Sequence, residues 1–157
     1  MSNKNIIYNY MSISIVKTKL KTYDKIRYEI YDDGYFGFES TDKNVIMKGS
    51  IDQRNKKIKL DFFHRVGGVK GFARLKFCKL LLYLLKKKHI LDDFNIILYA
   101  DASFGNISGA SQSKLEKMYE SMSFTKFGEF AYGNQPMKTS VKKFIEWCKE
   151  HLKKHKS

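Results

Sequence analysis

The chain has one proline, Pro136, only two cysteines, and no apolar run long enough to cross a bilayer. Ten glycines in 157 residues leave no stretch of linker composition, and a chain of this length fits one domain of the usual ~100 to 150 residues. A single domain over residues 1–157 is expected. Cys78 and Cys148 are too few for a disulfide framework and fall on the apolar sides of expected helices, which predicts buried free thiols and no metal site. The longest apolar run, Leu80 to Leu85, ends at Lys86, Lys87 and Lys88, well short of the ~20 residues of a membrane span. Ile6 and Ile7 stand among Asn, Lys and Tyr, without the apolar stretch and small residues of a secretory leader. Together these absences predict a soluble, cytoplasmic protein.

Acids are also scarce. Sixteen Asp and Glu face thirty Lys and Arg, a net charge of +14, and the excess is concentrated. Between Gln53 and Ile90 there are twelve Lys and Arg against one acid, Asp61, a local balance of +11. Such a field attracts polyanions, whether nucleic acid, an anionic membrane surface or a phosphate-rich small molecule. Composition does not choose among them. A hydrophobic content of 43%, with 15% aromatic residues, is enough for a dense core.

The first sixty residues read mostly as strand. Met11 to Val16 is one candidate. Ile26 to Tyr31 alternates apolar and polar positions, and Asp32-Asp33-Gly34 turns it into Tyr35 to Glu39 as a hairpin. Val45 to Ile51 and Ile58 to Phe63 follow across the polar turn from Asp52 to Lys56, giving an antiparallel meander. The period then changes: Leu75, Cys78, Leu81, Leu82 and Leu85 recur at helical spacing, which predicts an amphipathic helix over Gly71 to Lys88. Ile96 to Ala100 suits a buried strand. Ser113-Lys114-Leu115-Glu116 has the form of a capping box for a second helix. Phe124 to Tyr132 returns to strand character, and beyond Pro136 the spacing of Val141, Phe144, Ile145, Cys148 and Leu152 predicts a terminal helix. No internal repeat is present.

Between the strand ending at Phe63 and the first helix lies Gly67-Gly68-Val69-Lys70-Gly71. A strand, glycine loop and helix is an arrangement that holds phosphate: glycines admit the anion to the backbone, the unpaired amides of the first helical turn point at it, and the helix dipole favours its charge. Lys70 and Arg74 add formal charge there. The loop lacks the Gly-Lys-Ser/Thr ending of a nucleoside triphosphatase and does not complete a dinucleotide fingerprint.

From this loop onward the chain resembles the GNAT family of acyl-CoA-dependent N-acetyltransferases. The family motif Arg/Gln-x-x-Gly-x-Gly/Ala at the start of a long helix is matched by Gly68-Val69-Lys70-Gly71-Phe72-Ala73, with Leu75 behind it. The short apolar strand is matched by Ile96 to Ala100. The Tyr-x-x-x-Gly-Phe signature is matched by Tyr119 to Phe124, with Ser123 in place of the glycine and Gly68 in place of the leading Arg or Gln. The resemblance covers about residues 58 to 130. It implies an α/β (α+β) fold: a mixed, mostly antiparallel central sheet with flanking helices. The N-terminal half is reduced, because no helical pattern lies between Val16 and Ile26, where the family usually carries two helices.

The resemblance also implies a chemistry: transfer of an acetyl group from acetyl-CoA to an unidentified amine within a ternary complex. The pantetheine arm would bond like an added strand beside Phe63, with the pyrophosphate on the loop and first turn formed by Gly68, Val69, Lys70, Gly71, Phe72, Ala73 and Arg74. Asn106, like Ser108, stands where it could touch the pantetheine arm. Tyr119 is the expected acid that protonates the departing thiolate, and Asp61 the expected base, with His64 its rival. A reading from another class keeps the basic surface and drops the chemistry: a binding module for nucleic acid or an acidic partner, with aromatics interleaved among Lys59 to Arg65. A third makes the basic terminal helix a membrane-surface or partner helix, though its apolar stripe has the width needed to dock on its own sheet.

Overall fold

The computed structural model describes residues 21–41, 44–65, 72–102 and 111–154. Among these residues are eight strands and three helices in the order β1 (Thr22–Tyr23), β2 (Ile26–Ile30), β3 (Tyr35–Glu39), β4 (Val45–Asp52), β5 (Lys57–Arg65), α1 (Phe72–Lys87), β6 (Asn95–Ala100), α2 (Gln112–Glu120), β7 (Thr125–Lys126), β8 (Gln135–Ser140) and α3 (Val141–Lys154). They form one sheet, β1-β2-β3-β4-β5-β6-β8-β7, in which β5 and β6 are the parallel pair and all other neighbours are antiparallel. The mixed, mostly antiparallel sheet expected from the sequence is the one observed. The candidate strand from Met11 to Val16, the loop from Gly67 to Gly71, and Asn106 with Ser108 lie outside the described residues.

The meander follows from its turns. Asp24 and Lys25 both take positive φ, the backbone of a two-residue hairpin turn, and so add the short β1 that the alternation pattern did not reveal. Gly34 has φ +100, and a Cβ there would meet the Ile51 carbonyl oxygen at 2.4 Å, so the Asp-Asp-Gly turn requires its glycine. Asp52 accepts from the Asn55 amide at 3.0 Å and from its side chain at 2.7 Å, which fixes the β4–β5 turn.

One face of the sheet is packed. Phe38, Met47, Ile58, Leu60, Ile96, Leu98 and Met137 are buried together with Phe77, Leu80, Leu81 and Leu84 of α1 and Val141, Phe144 and Cys148 of α3. Phe77 is the meeting point, its ring 5.0 Å from Phe63, 5.9 Å from Tyr119, 6.0 Å from Phe124 and 5.8 Å from Phe144. The inward stripe of α1 is wider than the spacing from Leu75 to Leu85 suggested, because the helix contacts both the sheet and α3. Leu75 and Leu82 are only half-buried, while Phe77, Leu80 and Leu84 are sealed. Cys78 and Cys148 are buried free thiols in side-chain contact, and burial pushes the Cys148 thiol well up. Helix α1 ends with His89 at φ +52 and the Ile90 amide on the Leu85 carbonyl at 2.9 Å, a left-handed cap.

Two expectations are corrected. Helix α2 is capped by Ser111, whose side chain accepts from the Lys114 amide, and not by Ser113; Glu116, the supposed partner in the box, bonds to Gln112 and Lys126 instead. The strand predicted from Phe124 to Tyr132 is only Thr125–Lys126, and the final strand is Gln135–Ser140, in a stretch for which the sequence predicts no strand. Pro136 hid it, since a proline argues against an inner strand. Here the missing donor is covered: the Pro136 carbonyl accepts from the Phe127 amide at 3.1 Å, and the buried Gln135 side chain donates toward the carbonyls of Phe127, Gly128 and Pro136. Ser140 then caps α3 through the Lys143 amide at 3.1 Å.

Candidate functional site

Strands β5 and β6 pair from Lys57–Asn95 to Leu60–Leu98 and then part, although both continue. Beyond Leu60, β5 keeps its ladder with β4 while β6 stays on β8 as far as Ala100 and Gln135. The β5 edge from Asp61 to Arg65 therefore faces an opening in the sheet. At the point of parting the β4–β5 register slips between Lys48 and Gly49: Lys48 stands opposite Phe62 and Gly49 opposite Leu60, which leaves Asp61 as the extra residue of a bulge. Gly49 makes the bulge possible, because a Cβ there would meet the Lys59 carbonyl oxygen at 2.2 Å.

The bulge rephases the strand. Without it Asp61 and Phe63 would share a face, with His64 opposite. With it, Phe63 joins Leu60 on the packed face against Phe77, and Asp61 reaches back to Lys59 at 3.8 Å on the face that no described helix covers. On that face Lys59 lies 5.6 Å over the ring of Tyr99, and the Phe62 ring meets His64 edge-on at 4.7 Å. His64 does leave the opposite face from Phe63, as simple alternation predicts, because the bulge falls before both. Its Nδ1 is buried with no hydrogen-bond partner among the described residues.

The structure thus brings Phe63 and Tyr119 together across Phe77 and puts Asp61 on the other side of the sheet. Tyr119 is 5% exposed, in edge contact with Phe77 and Phe124, and burial pushes its phenol up, so it stays protonated at physiological pH. Asp61 is half-exposed, with 46% of its side-chain surface accessible, and tied to Lys59, which makes it a poorly isolated carboxylate. Of the loop and helix set, Phe72 opens α1 and Ala73 and Arg74 are in its first turn, which carries no acid. The Arg74 Nε is buried without a hydrogen-bond partner among the described residues.

Sequence reasoning missed three residues at this site. Gln112 clamps the end of β6, donating to the Ala100 carbonyl at 2.8 Å and accepting from the Ala102 amide at 2.9 Å. Gly49 admits the bulge, and Tyr99 lines the face that no described helix covers. The pattern carried no sign of Gln112, whereas Gly49 inside a strand was a legible sign of a bulge or close approach.

Comparison with known proteins places the fold. No family model and no curated sequence matches the chain. Among solved structures it is similar to mutant forms of the spermidine/spermine N-acetyltransferase SpeG of Vibrio cholerae, with 15% identity over 90% of this chain and 79% of that one and a TM-score of 0.51. It is also similar to the spermidine N-acetyltransferase of the same organism in complex with CoA and spermine, with 16% identity over 88% and 76% and a TM-score of 0.51. At this identity the likeness is one of fold: the chain has the mixed α/β architecture of these acetyltransferases, the GNAT-like fold class expected from the sequence. No helix among the described residues is long and apolar enough to cross a membrane.

Proposed function

We propose that this protein is an acyl-CoA-dependent N-acetyltransferase that moves an acetyl group from acetyl-CoA to an amine by direct transfer in a ternary complex. The observation that carries the reading is the parting of β5 and β6 beyond Leu60 and Leu98, with α1 the next described element after the open β5 edge. An extended, amide-bearing ligand can add to such an edge as a strand does. The residues present fit acetyl-CoA: a strand edge beside Phe63, a helix start free of acids, and a buried Arg74 Nε lacking a partner among the described residues. The complex of the structurally similar acetyltransferase with CoA and spermine supports the same co-substrate and an amine acceptor.

In this reading the amides and side chains from Gly68 to Arg74 hold the pyrophosphate, Phe63 and Asn106 flank the pantetheine arm, and the bound thioester supplies an activated acyl carbon. The acceptor amine must reach that carbon with its lone pair free, and the departing sulfur must gain a proton. Tyr119, protonated and on the same side of the sheet as Phe63, is the donor. Asp61 stands at the bulge on the far side, where the acceptor would enter. Calorimetry with CoA tests the reading: the wild type should bind and Gly71→Glu should not, with circular dichroism unchanged. Failure of the wild type to bind CoA would overturn it.

A further inference from the structure

We propose that a cavity at the far end of α1 binds a small aromatic anion, a flat ring carrying a phosphate or carboxylate. The proposal goes beyond the acetyltransferase reading and does not depend on it. The cavity, of about 690 Å³, opens where the last turns of α1 meet the β1–β2 hairpin, and is lined by Tyr23, Leu82, Tyr83, Lys86, Lys87 and His89. Its size is that of ordinary ligand pockets, ~300 to 1,000 Å³. At a helical rise of ~1.5 Å per residue, Lys86 lies about 20 Å along α1 from Phe72, so this is a place apart from the helix start assigned to the pyrophosphate.

The apolar wall is preformed. Tyr23 and Tyr83 stack with ring centroids 4.0 Å apart and planes 19° from parallel. Tyr28 locks Tyr83 in turn, edge-on at 5.1 Å, with the two hydroxyls 2.6 Å apart. Tyr23, Leu82 and Tyr83 are all half-buried, so part of each remains open to the cavity. A flat apolar body meets rings and a branched aliphatic chain that need no rearrangement to receive it. Burial, and then Asp24, pushes the Tyr23 phenol up, so it keeps its proton and can donate to an oxyanion.

The charge is one-sided. Among the described residues no acid lines the cavity, and Lys86 and Lys87 are exposed and form no ion pair. The Lys87 Nζ lies 5.9 Å over the ring of Tyr83, which brings the cation to the aromatic wall. Lysines at the end of a helix often serve its last carbonyls. Here those of Leu84, Leu85 and Lys86 already accept from the amides of Lys88, Ile90 and His89, at 3.0, 2.9 and 3.2 Å. Asp24, beside Tyr23, is bound by Lys76. Two uncompensated cations next to flat rings suit a ligand that is at once anionic and aromatic. Charge does not make the chain's own amino end that occupant, since residues 1–20 hold three lysines and no acid.

Calorimetry and amide NMR on the full chain test this, with AMP and naphthoate as ring-bearing anions. Adenosine supplies a ring without charge, and inorganic phosphate a charge without a ring. At least one of the two anions should bind, about tenfold or more tighter than adenosine and phosphate, with amide shifts centred on Tyr23, Leu82 to Lys87 and His89. Preference for AMP identifies a nucleotide as the source of the anion, and preference for naphthoate a simple aryl acid. K86Q/K87Q should lose about tenfold or more in this affinity. K153Q/K154Q removes the same charge from the exposed end of α3 and should change it far less. Acetyl-CoA affinity should respond no more to K86Q/K87Q than to K153Q/K154Q. The proposal is overturned if neither anion binds, with or without binding of an oligonucleotide, or if adenosine or phosphate alone binds as well. Equal losses in the two double variants would reduce the effect to the general field and overturn it too. If acetyl-CoA affinity falls in K86Q/K87Q together with that of AMP, the ends of α1 are not separate sites and the proposal fails. Absence of any CoA binding, with the aromatic anion still held here, would sink the acetyltransferase reading and leave this one standing.

Discussion

Ser123 occupies a glycine's place and shows it. In the signature from Tyr119 to Phe124 the residue before the phenylalanine has φ +80, a left-handed conformation that costs a residue with a Cβ about 1 kcal/mol or more. The serine is retained there with its Oγ 2.9 Å from the hydroxyl of Thr139, on the buried side of β8. Ser123→Ala keeps the strain and loses the bond; Ser123→Gly loses the bond and the strain. The glycine variant should therefore be the more stable of the two by about 1 kcal/mol in urea unfolding, the reverse of the usual ordering of Ala and Gly. Four residues earlier, Tyr119 presents a phenol with no hydrogen bond among the described residues, so Tyr119→Phe removes little that holds the fold together. Its melting temperature and CoA affinity should stay close to wild type while turnover falls about tenfold to ten-thousandfold, the range of a lost general acid. Unchanged turnover would make Tyr119 a core residue only.

At the scale of elements, α2 is held to the sheet by a short polar chain that is sensitive to acid. Gln112 bridges the end of β6 and donates to Glu116 at 2.6 Å, and Glu116 meets Lys126 of β7 at 3.0 Å. Burial raises the Glu116 pKa, but the hydrogen bonds from Gln112 and Lys126 outweigh it and hold the carboxyl below its usual 4.5. A carboxyl with a depressed folded pKa contributes stability that is fully present above the unfolded value and is lost as pH falls through the folded one. The wild type should thus exceed Glu116→Gln in urea midpoint at pH 7, and the gap should close as pH falls below the usual 4.5 and through the lowered folded value. An unchanged gap at pH 3 would mean that the charge is irrelevant. The same elements show what the sequence made legible. The hairpins and the helices α1 and α3 were written in turn residues and apolar spacing, which are local signals. Strand β8 was not, because its only local signal, Pro136, pointed the wrong way and its compensation by Gln135 needs the partner strand β7. The bulge at Asp61 was equally hidden: it depends on Gly49, whose close approach to Lys59 exists only once β4 and β5 are paired. So the face on which Asp61 stands could not be deduced from alternation along β5.

At the scale of the molecule, the charge of +14 acts on every ligand at once. Within the middle segment, Lys59 is tied to Asp61, Lys76 to Asp24 and Lys56 to Asp93, while Lys86 and Lys87 stand exposed at the end of α1. The field of such a surface draws anions and repels polycations, and salt screens both effects over about 10 Å at 0.1 M. Binding of random duplex or single-stranded nucleic acid should accordingly be weak, indifferent to sequence and lost as salt rises, since Lys and Arg only replace phosphate counterions. Sequence-selective binding that survived high salt would favour the binding-module reading over the enzyme. The same physics separates acceptors. CoA carries several negative charges, so its affinity should fall as salt rises from about 50 to 500 mM and screens the attraction. With acetyl-CoA kept saturating, the KM of a polycation such as spermidine should fall over the same range as repulsion is screened, whereas that of a neutral amine should hardly move. A spermidine KM that rises steeply with salt would instead place uncompensated carboxylates around the acceptor, contrary to an open face on which Asp61 and Glu39 are each paired with a base.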